Sequence, residues 1–227
     1  MSTVSSEAAA FGPFANDLNL VASLRDGDEA AFLSLVSSYH LQLVRFAQLY
    51  VRTREQAEDV VQETWLAVLT GLGRFEGRSS LKTWIFSILV NKARTRARQE
   101  GRTVSYSALG VAGELNTELA PEPAVDPGRF LAPGHQWAGG WASPPASWGS
   151  IPEERLLSQE TLGCVQQAID QLPPLQREVI ALRDVEGWPP AEICQVLAIS
   201  EPNQRVLLHR ARSRVRRALE QYFAGEE

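Results

Sequence analysis

Six arginines and a single glutamate fall between Ser200 and Arg217. Laid on a helix, Arg205, His209, Arg212 and Arg216 are spaced four, three and four and share one face. Leu207, Ala211, Val215, Ala218 and Tyr222 form the opposite, packed stripe. A second helix of a helix-turn-helix places its N-terminal residues in the major groove, where Arg and Asn meet base edges and later arginines meet phosphates. Asn203, Arg205, Val206, His209 and Arg210 are therefore the base-reading candidates. A solvated cationic face is the alternative. An arginine face with almost no Glu at i±4 is costly in isolation, which favours an anionic ligand.

A second cationic cluster runs from Lys82 to Arg102, with six Lys/Arg against one Glu. The segment LKTWIFSILVNKARTRAR carries Lys92, Arg94, Arg96 and Arg98 beside Asn91, and the preceding RFEGRSS supplies Phe75, Gly77, Ser79 and Ser80 close to Trp84. Aromatics beside a cationic track suit single-stranded nucleic acid, because bases stack while the backbone is neutralised. Extruding a base costs on the order of a few kcal/mol, which a fitted pocket offsets. Phe75 and Trp84 packed in a core is the competing reading.

Upstream lies an acidic segment, EQAEDVVQETWLAVLTGL. Glu55, Glu58/Asp59 and Gln62/Glu63 share a face opposite Ala57, Val61, Trp65, Val68 and Leu72. Carboxylates beside a DNA-binding helix repel DNA, so their natural ligand is a protein; a merely solvated face is the alternative.

Helical elements must position these groups. DLNLVASLR ends at Asp26-Gly27, a stop signal. DEAAFLSLVSSYHLQLVRFAQLYV has one buried stripe through Phe32, Leu35/Val36, Tyr39, Leu43 and Phe46. Thr53 with Gln56 predicts a capping box opening the acidic helix, which Gly71 and Gly73 close. Ser79 or Ser80 caps the basic helix, whose Leu81, Trp84, Ile85, Ile88 and Leu89 face inward. PEERLLSQETLGCVQQAIDQL turns Leu156, Cys164, Ala168 and Ile169 toward a second core. PPLQREVIALRDVEG ends at Gly187, and PPAEICQVLAI meets the arginine-rich helix at a short turn around Ser200, which is read as its N-cap. No β-alternation appears, so the fold class expected is all-α.

Between Thr103 and Pro152 there are seven Pro, seven Gly and no Lys. That composition reads as a flexible linker over 103–151, with residues 1–16 disordered, one domain over 17–102 and another over 152–223. Trp137, Trp141 and Trp148 are unusual for a passive tether: they pack on a flanking domain or dock on a partner.

The bulk numbers exclude several classes. A net charge of −5 over 227 residues predicts that the free chain binds duplex DNA weakly despite its clustered arginines. Cys164, Cys194 and three scattered His give no metal-ligand cluster and no disulfide framework; both thiols read as packing residues, with a redox pair the lesser reading. No apolar run approaches the roughly 18 residues that span a bilayer, and no secretory signal opens the chain, so a cytoplasmic protein without membrane insertion is expected. No nucleophile-base constellation or phosphate-cradling loop is present, so no catalytic residue, cofactor or metal is expected.

The stretches AEDVVQETWLAVL, RFEGRSSLKTWIFSILVNKAR and LPPLQREVIALRDVEGWPPAEICQVLAISEPNQRVLLHRARSRVRRAL, in this order and spacing, resemble bacterial RNA polymerase sigma factors of the extracytoplasmic-function group. The resemblance implies two small helical domains, a sigma region 2 helical bundle and a sigma region 4 helix-turn-helix, joined by a long linker containing Pro, Gly and Trp. It implies core-polymerase binding by Asp59, Gln62, Glu63 and Trp65. It implies capture of −10 bases by Phe75, the loop through Gly77, Ser79 and Ser80, and Asn91, with Lys92 and Arg94 holding the backbone. Readout of −35 duplex would fall to Asn203, Arg205, Val206, His209 and Arg210, joined by Arg212. Implied partners are core RNA polymerase, promoter DNA and an anti-sigma factor, with no covalent chemistry by the chain itself. A stand-alone helix-turn-helix regulator would match only the last stretch and have no use for the acidic helix. A polymerase-binding decoy would keep that helix and not need the arginine face.

Overall fold

The computed structural model describes residues 15–99, 127–144 and 158–224. The chain divides into two compact units, residues 1–104 with Cys194–Ala198, and residues 105–193 with 199–227. Among the described residues every regular element is helical, apart from an isolated bridge pairing Phe130 with Trp141. The all-α expectation holds.

The first unit contains α1 (Ala15–Arg25), α2 (Glu29–Ala47), α3 (Arg54–Gly71), a 3-10 turn (Leu72–Arg74) and α4 (Leu81–Gln99). Local chemistry sets the boundaries. Gly27 takes φ +83°, a left-handed conformation that glycine adopts without a Cβ penalty, and it separates α1 from α2. Asp28 then caps α2, its carboxylate accepting the amides of Ala30 and Ala31 at 2.9 and 3.1 Å. The predicted capping box forms on α3: Thr53 Oγ1 accepts the Gln56 amide at 3.3 Å, and Gln56 Oε1 accepts the Thr53 amide at 3.2 Å. Of the two candidate serines, Ser80 caps α4, accepting the Thr83 amide at 3.1 Å.

α3 packs against both α2 and α4. Their shared core includes Leu43, Val61, Val68, Ile85, Phe86 and Leu89, all fully buried, each apolar side chain contributing roughly 1.5–3 kcal/mol. Phe86 belongs to this core, whereas Trp84 and Ile88 are only half-buried. The α4 stripe is thus rotated from the one read off the sequence, running also through Val90, Ala93 and Ala97.

The second unit contains α5 (Gln159–Asp170), α6 (Pro174–Ile180) and α8 (Glu201–Ala224). Ile169, Leu172, Ile180 and Ala211 form its centre, with Val165, Leu208 and Val215 packed around them. Cys164 and Ala168 are half-buried, both cysteines are free thiols, and Leu156 lies outside the described residues. α6 continues into a π-helical turn, Ala181–Val185, closed by the Glu186 amide on the Ala181 carbonyl at 3.0 Å. Gly187, at φ +73°, ends it where the sequence predicted. α7 (Pro190–Leu197) starts at its second proline, which lacks only an amide that the first turn leaves unpaired anyway. A three-residue turn, Ala198–Ser200, leads into α8, whose Asn203 amide meets Ser200 Oγ at 3.4 Å.

Residues 127–144 depart from the flexible-linker expectation. They fold as a tight loop: the Leu131 amide bonds the Gly140 carbonyl and the Ala142 amide the Arg129 carbonyl, each at 2.8 Å. Phe130 stacks on Trp141 with ring centroids 4.6 Å apart. Arg129 ties the loop to α8 through Glu220 at 2.9 Å. Trp141 is therefore used inside the loop, while Trp137 stays 70% exposed. Trp148, like residues 1–14, lies outside the described residues.

Candidate nucleic-acid interface

The loop between the 3-10 turn and α4 is held from beneath by α1. Arg25 donates to the Leu72 carbonyl from Nε at 3.0 Å and from Nη2 at 2.8 Å, and to the Phe75 carbonyl at 2.8 Å. Asp17 Oδ2 accepts the Leu81 amide at 2.7 Å, adding a second cap to α4. Gly77 sits at φ +70°, and a Cβ there would lie 3.0 Å from Leu18. Sequence reasoning missed this support, because each contact joins residues far apart in the chain.

Four expected −10 contacts sit at the loop surface or on the exposed side of α4: Gly77 and Ser79 half-exposed, Ser80 turned to its capping role, and Asn91 exposed. Phe75 does not join them. It is buried, its ring 5.1 Å from that of Trp84, which fixes the loop rather than offering an open stacking face. Arg94 is also turned inward, 8% exposed, because it follows Phe86 and Val90 at spacings of four along the buried stripe. Lys92 remains half-exposed and pairs with Glu63 of α3 at 3.4 Å. Arg98, named above in the cationic track, is exposed near the end of α4.

On α3, Asp59, Gln62 and Glu63 are exposed on one face. Trp65 is not; it is buried with its ring edge-on to Phe32, centroids 5.9 Å apart. Leu66 and Leu69, both exposed, continue the carboxylate face at spacings of three and four. Leucines on a helix surface are the apolar component that a protein interface needs beside its charges. At the start of the helix, hydrogen bonds from its own amide and then from the Thr53 hydroxyl hold the Glu55 carboxyl below its ordinary pKa.

In α8, Arg205, Val206, His209 and Arg212 are exposed, and Asn203 and Arg210 are half-buried. The spacing of Arg205, His209, Arg212 and Arg216 puts them along one face of a continuous helix. Against the expectation of a face almost without Glu at i±4, Arg205 pairs with Glu201 one turn earlier, and Arg216 with Glu220 one turn later at 3.2 Å. Arg212 is engaged differently. Its Nε and Nη2 donate to the two carboxylate oxygens of Asp184 at 2.9 and 2.6 Å. This bidentate pairing raises the Arg212 pKa above its ordinary value. The two residues are 28 positions apart, so nothing in the sequence signalled the pair.

Residues 35–103 match the family Sigma-70 region 2, and residues 162–215 match Sigma-70, region 4. A probable RNA polymerase sigma factor of Haemophilus influenzae is 31% identical over 192 residues, spanning 82% of this chain and 91% of that one. The Bacillus subtilis ECF RNA polymerase sigma factor SigX is 28% identical over 192 residues, 85% of each chain. The fold is shared with CnrH, solved with the cytosolic domain of CnrY, at TM-score 0.56, 21% identity and coverage of 93% and 99%. It is shared too with Bartonella quintana RpoE, solved with the anti-sigma factor NepR, at TM-score 0.52, 23% identity and coverage of 83% and 96%. Matches of this kind over both halves of the chain place it in the class of non-catalytic transcription-initiation subunits. The chain belongs to the sigma-70 family of RNA polymerase sigma factors, within its extracytoplasmic-function group.

Proposed function

We propose that this sigma factor grips core RNA polymerase through the α3 face and reads promoters with two separate surfaces. Asp59, Gln62, Glu63, Leu66 and Leu69 form the polymerase-facing set, with Trp65 as their packed support. The domain over residues 17–102 captures the −10 strand at the loop of Gly77, Ser79 and Ser80, with Asn91, Lys92 and Arg98 along its exit. Phe75 packs beneath the loop, and Arg94 lies on the buried side of α4. The domain over 152–223 reads −35 duplex with Asn203, Arg205, Val206, His209 and Arg210, and Arg212 follows the backbone. Residues 103–151 join the two. Melting then follows from selective binding of the open strand, a shift of population rather than a catalysed step.

The observation that carries this reading is the face of Arg205, His209, Arg212 and Arg216 on the second helix of a helix-turn-helix, in a chain whose first unit presents a separate carboxylate face. Both structural neighbours were solved with partners, one of them an anti-sigma factor, which supports a protein inhibitor as a further partner of this chain. Among the described residues no helix is long and apolar enough to cross a membrane, and a polymerase subunit of this kind works in the cytoplasm. Run-off transcription on genomic fragments, with core polymerase alone and with added protein, tests the proposal. New start sites that require the protein are expected. Specific shifts of fragments by the protein alone, without new starts, would favour a stand-alone regulator.

A further inference from the structure

The Asp184–Arg212 pair lies inside the proposed DNA-facing surface, and its geometry is more specific than a surface ion pair requires. The arginine fork carries five N–H donors. Asp184 takes two of them, from Nε and Nη2, leaving three for another acceptor. Arg212 stands seven residues beyond Arg205, about 10 Å along the helix, past the N-terminal end that is proposed to meet base edges and in the part of such a helix that faces the backbone. Its side chain is 56% exposed and that of Asp184 33%. The carboxylate thus braces the guanidinium from one side and leaves the other open.

Asp184 reaches this position because α6 widens into the π-helical turn Ala181–Val185. Such single-turn widenings are frequent at functional sites. A free arginine must lose rotamer freedom to grip a phosphate, and that loss opposes binding. An arginine already fixed by a bidentate carboxylate has lost it before DNA arrives.

We propose that Asp184 is a positioning residue for promoter binding: it holds the Arg212 fork in place to donate to a backbone phosphate. This rests on the assignment of α8 as the −35 reader. The consequence runs against simple electrostatics. Deleting a negative charge beside DNA should strengthen binding and steepen its salt dependence; here deletion weakens binding, because Arg212 loses its brace.

The test uses the full chain assembled with core polymerase and duplex fragments that the wild-type holoenzyme selects from sheared genomic DNA. Equilibrium binding is measured at several salt concentrations. Asp184→Ala and Arg212→Ala should each weaken binding about five- to tenfold, as expected for loss of one well-placed arginine contact. The double variant should be no weaker than Arg212→Ala alone, the signature of two residues acting as one. Asp184→Glu should restore part of the loss. Arg212→Lys keeps the charge and Asp184 but removes the fork, so it should bind as weakly as Asp184→Ala; it tests the same idea if the alanine variant fails to fold. Unchanged or tighter binding by Asp184→Ala, additive losses in the double variant, or wild-type affinity in Arg212→Lys would each overturn the proposal while the wild type still selects promoters. A wild-type holoenzyme that selects no fragment would overturn the promoter-reading assignment, and this proposal with it.

Discussion

Arg25 donates to the Phe75 carbonyl across fifty residues of sequence, at 2.8 Å. The bond fixes the backbone on which the proposed −10 loop hangs, and it comes from a helix that precedes the residues matched to sigma region 2. Replacing Arg25 by Met keeps the stem and removes every donor, so the carbonyls of Leu72 and Phe75 lose their charged partner, at a cost of about 1.5–3 kcal/mol. Thermal unfolding should show that loss. Permanganate footprinting of promoter melting should weaken with it, while polymerase affinity, assigned above by proposal to the α3 face, should stay unchanged.

Gly71 is needed for contact rather than for conformation. A Cβ there would lie 3.1 Å from Cζ2 of Trp84, whose ring also packs against Phe75. Gly71→Leu must push the Trp84 ring aside and should destabilise the first unit by about 1–3 kcal/mol. A Cβ on Gly73 meets nothing within 4 Å, so Gly73→Ala should change stability by less than about 0.5 kcal/mol. Denaturant titration of the two variants separates them.

Asp59→Lys reverses charge at an exposed position whose nearest cation, Arg96, is 3.9 Å away. An exposed pair of this kind contributes only about 0–1 kcal/mol, so the fold should persist with unchanged helical circular dichroism. Holoenzyme assembly on gel filtration should be abolished. Normal assembly would sink the docking assignment.

Arg205 is exposed and pairs with Glu201 on its own helix. Arg205→Ala should weaken −35 recognition by roughly 1–3 kcal/mol and relax preference at the position it reads. An unchanged promoter preference in sequencing of selected fragments would remove it from the reading set.

Features decided within a few residues were legible in the sequence. The Thr53–Gln56 box, the Gly27 stop and the Ser200 start depend on neighbours within one turn, and they stand where the spacing put them. The α8 face was legible for the same reason. Trp65 shows periodicity prevailing over resemblance: its spacing from Val61 and Val68 placed it on the apolar stripe, and there it is buried. Arg94 was misread because its charge outweighed its register, although Phe86 and Val90 lie eight and four residues before it. Arg25, Asp17 and Asp184 were illegible, since their partners are 28 to 64 residues away and no local pattern encodes them. Glycine and proline content hid the 127–144 loop, whose order comes from Phe130 on Trp141 and Arg129 on Glu220.

Because α1 meets the loop through Asp17, Leu18 and Arg25, neither can open without the other. An eleven-residue helix of this kind would ordinarily fray and trade its amide hydrogens with solvent within moments. Tied here to residues 72–81, it should share one opening event with them, so the two segments are expected to exchange as a single cooperative unit. A ligand that bound the loop would therefore slow exchange in a helix it never touches.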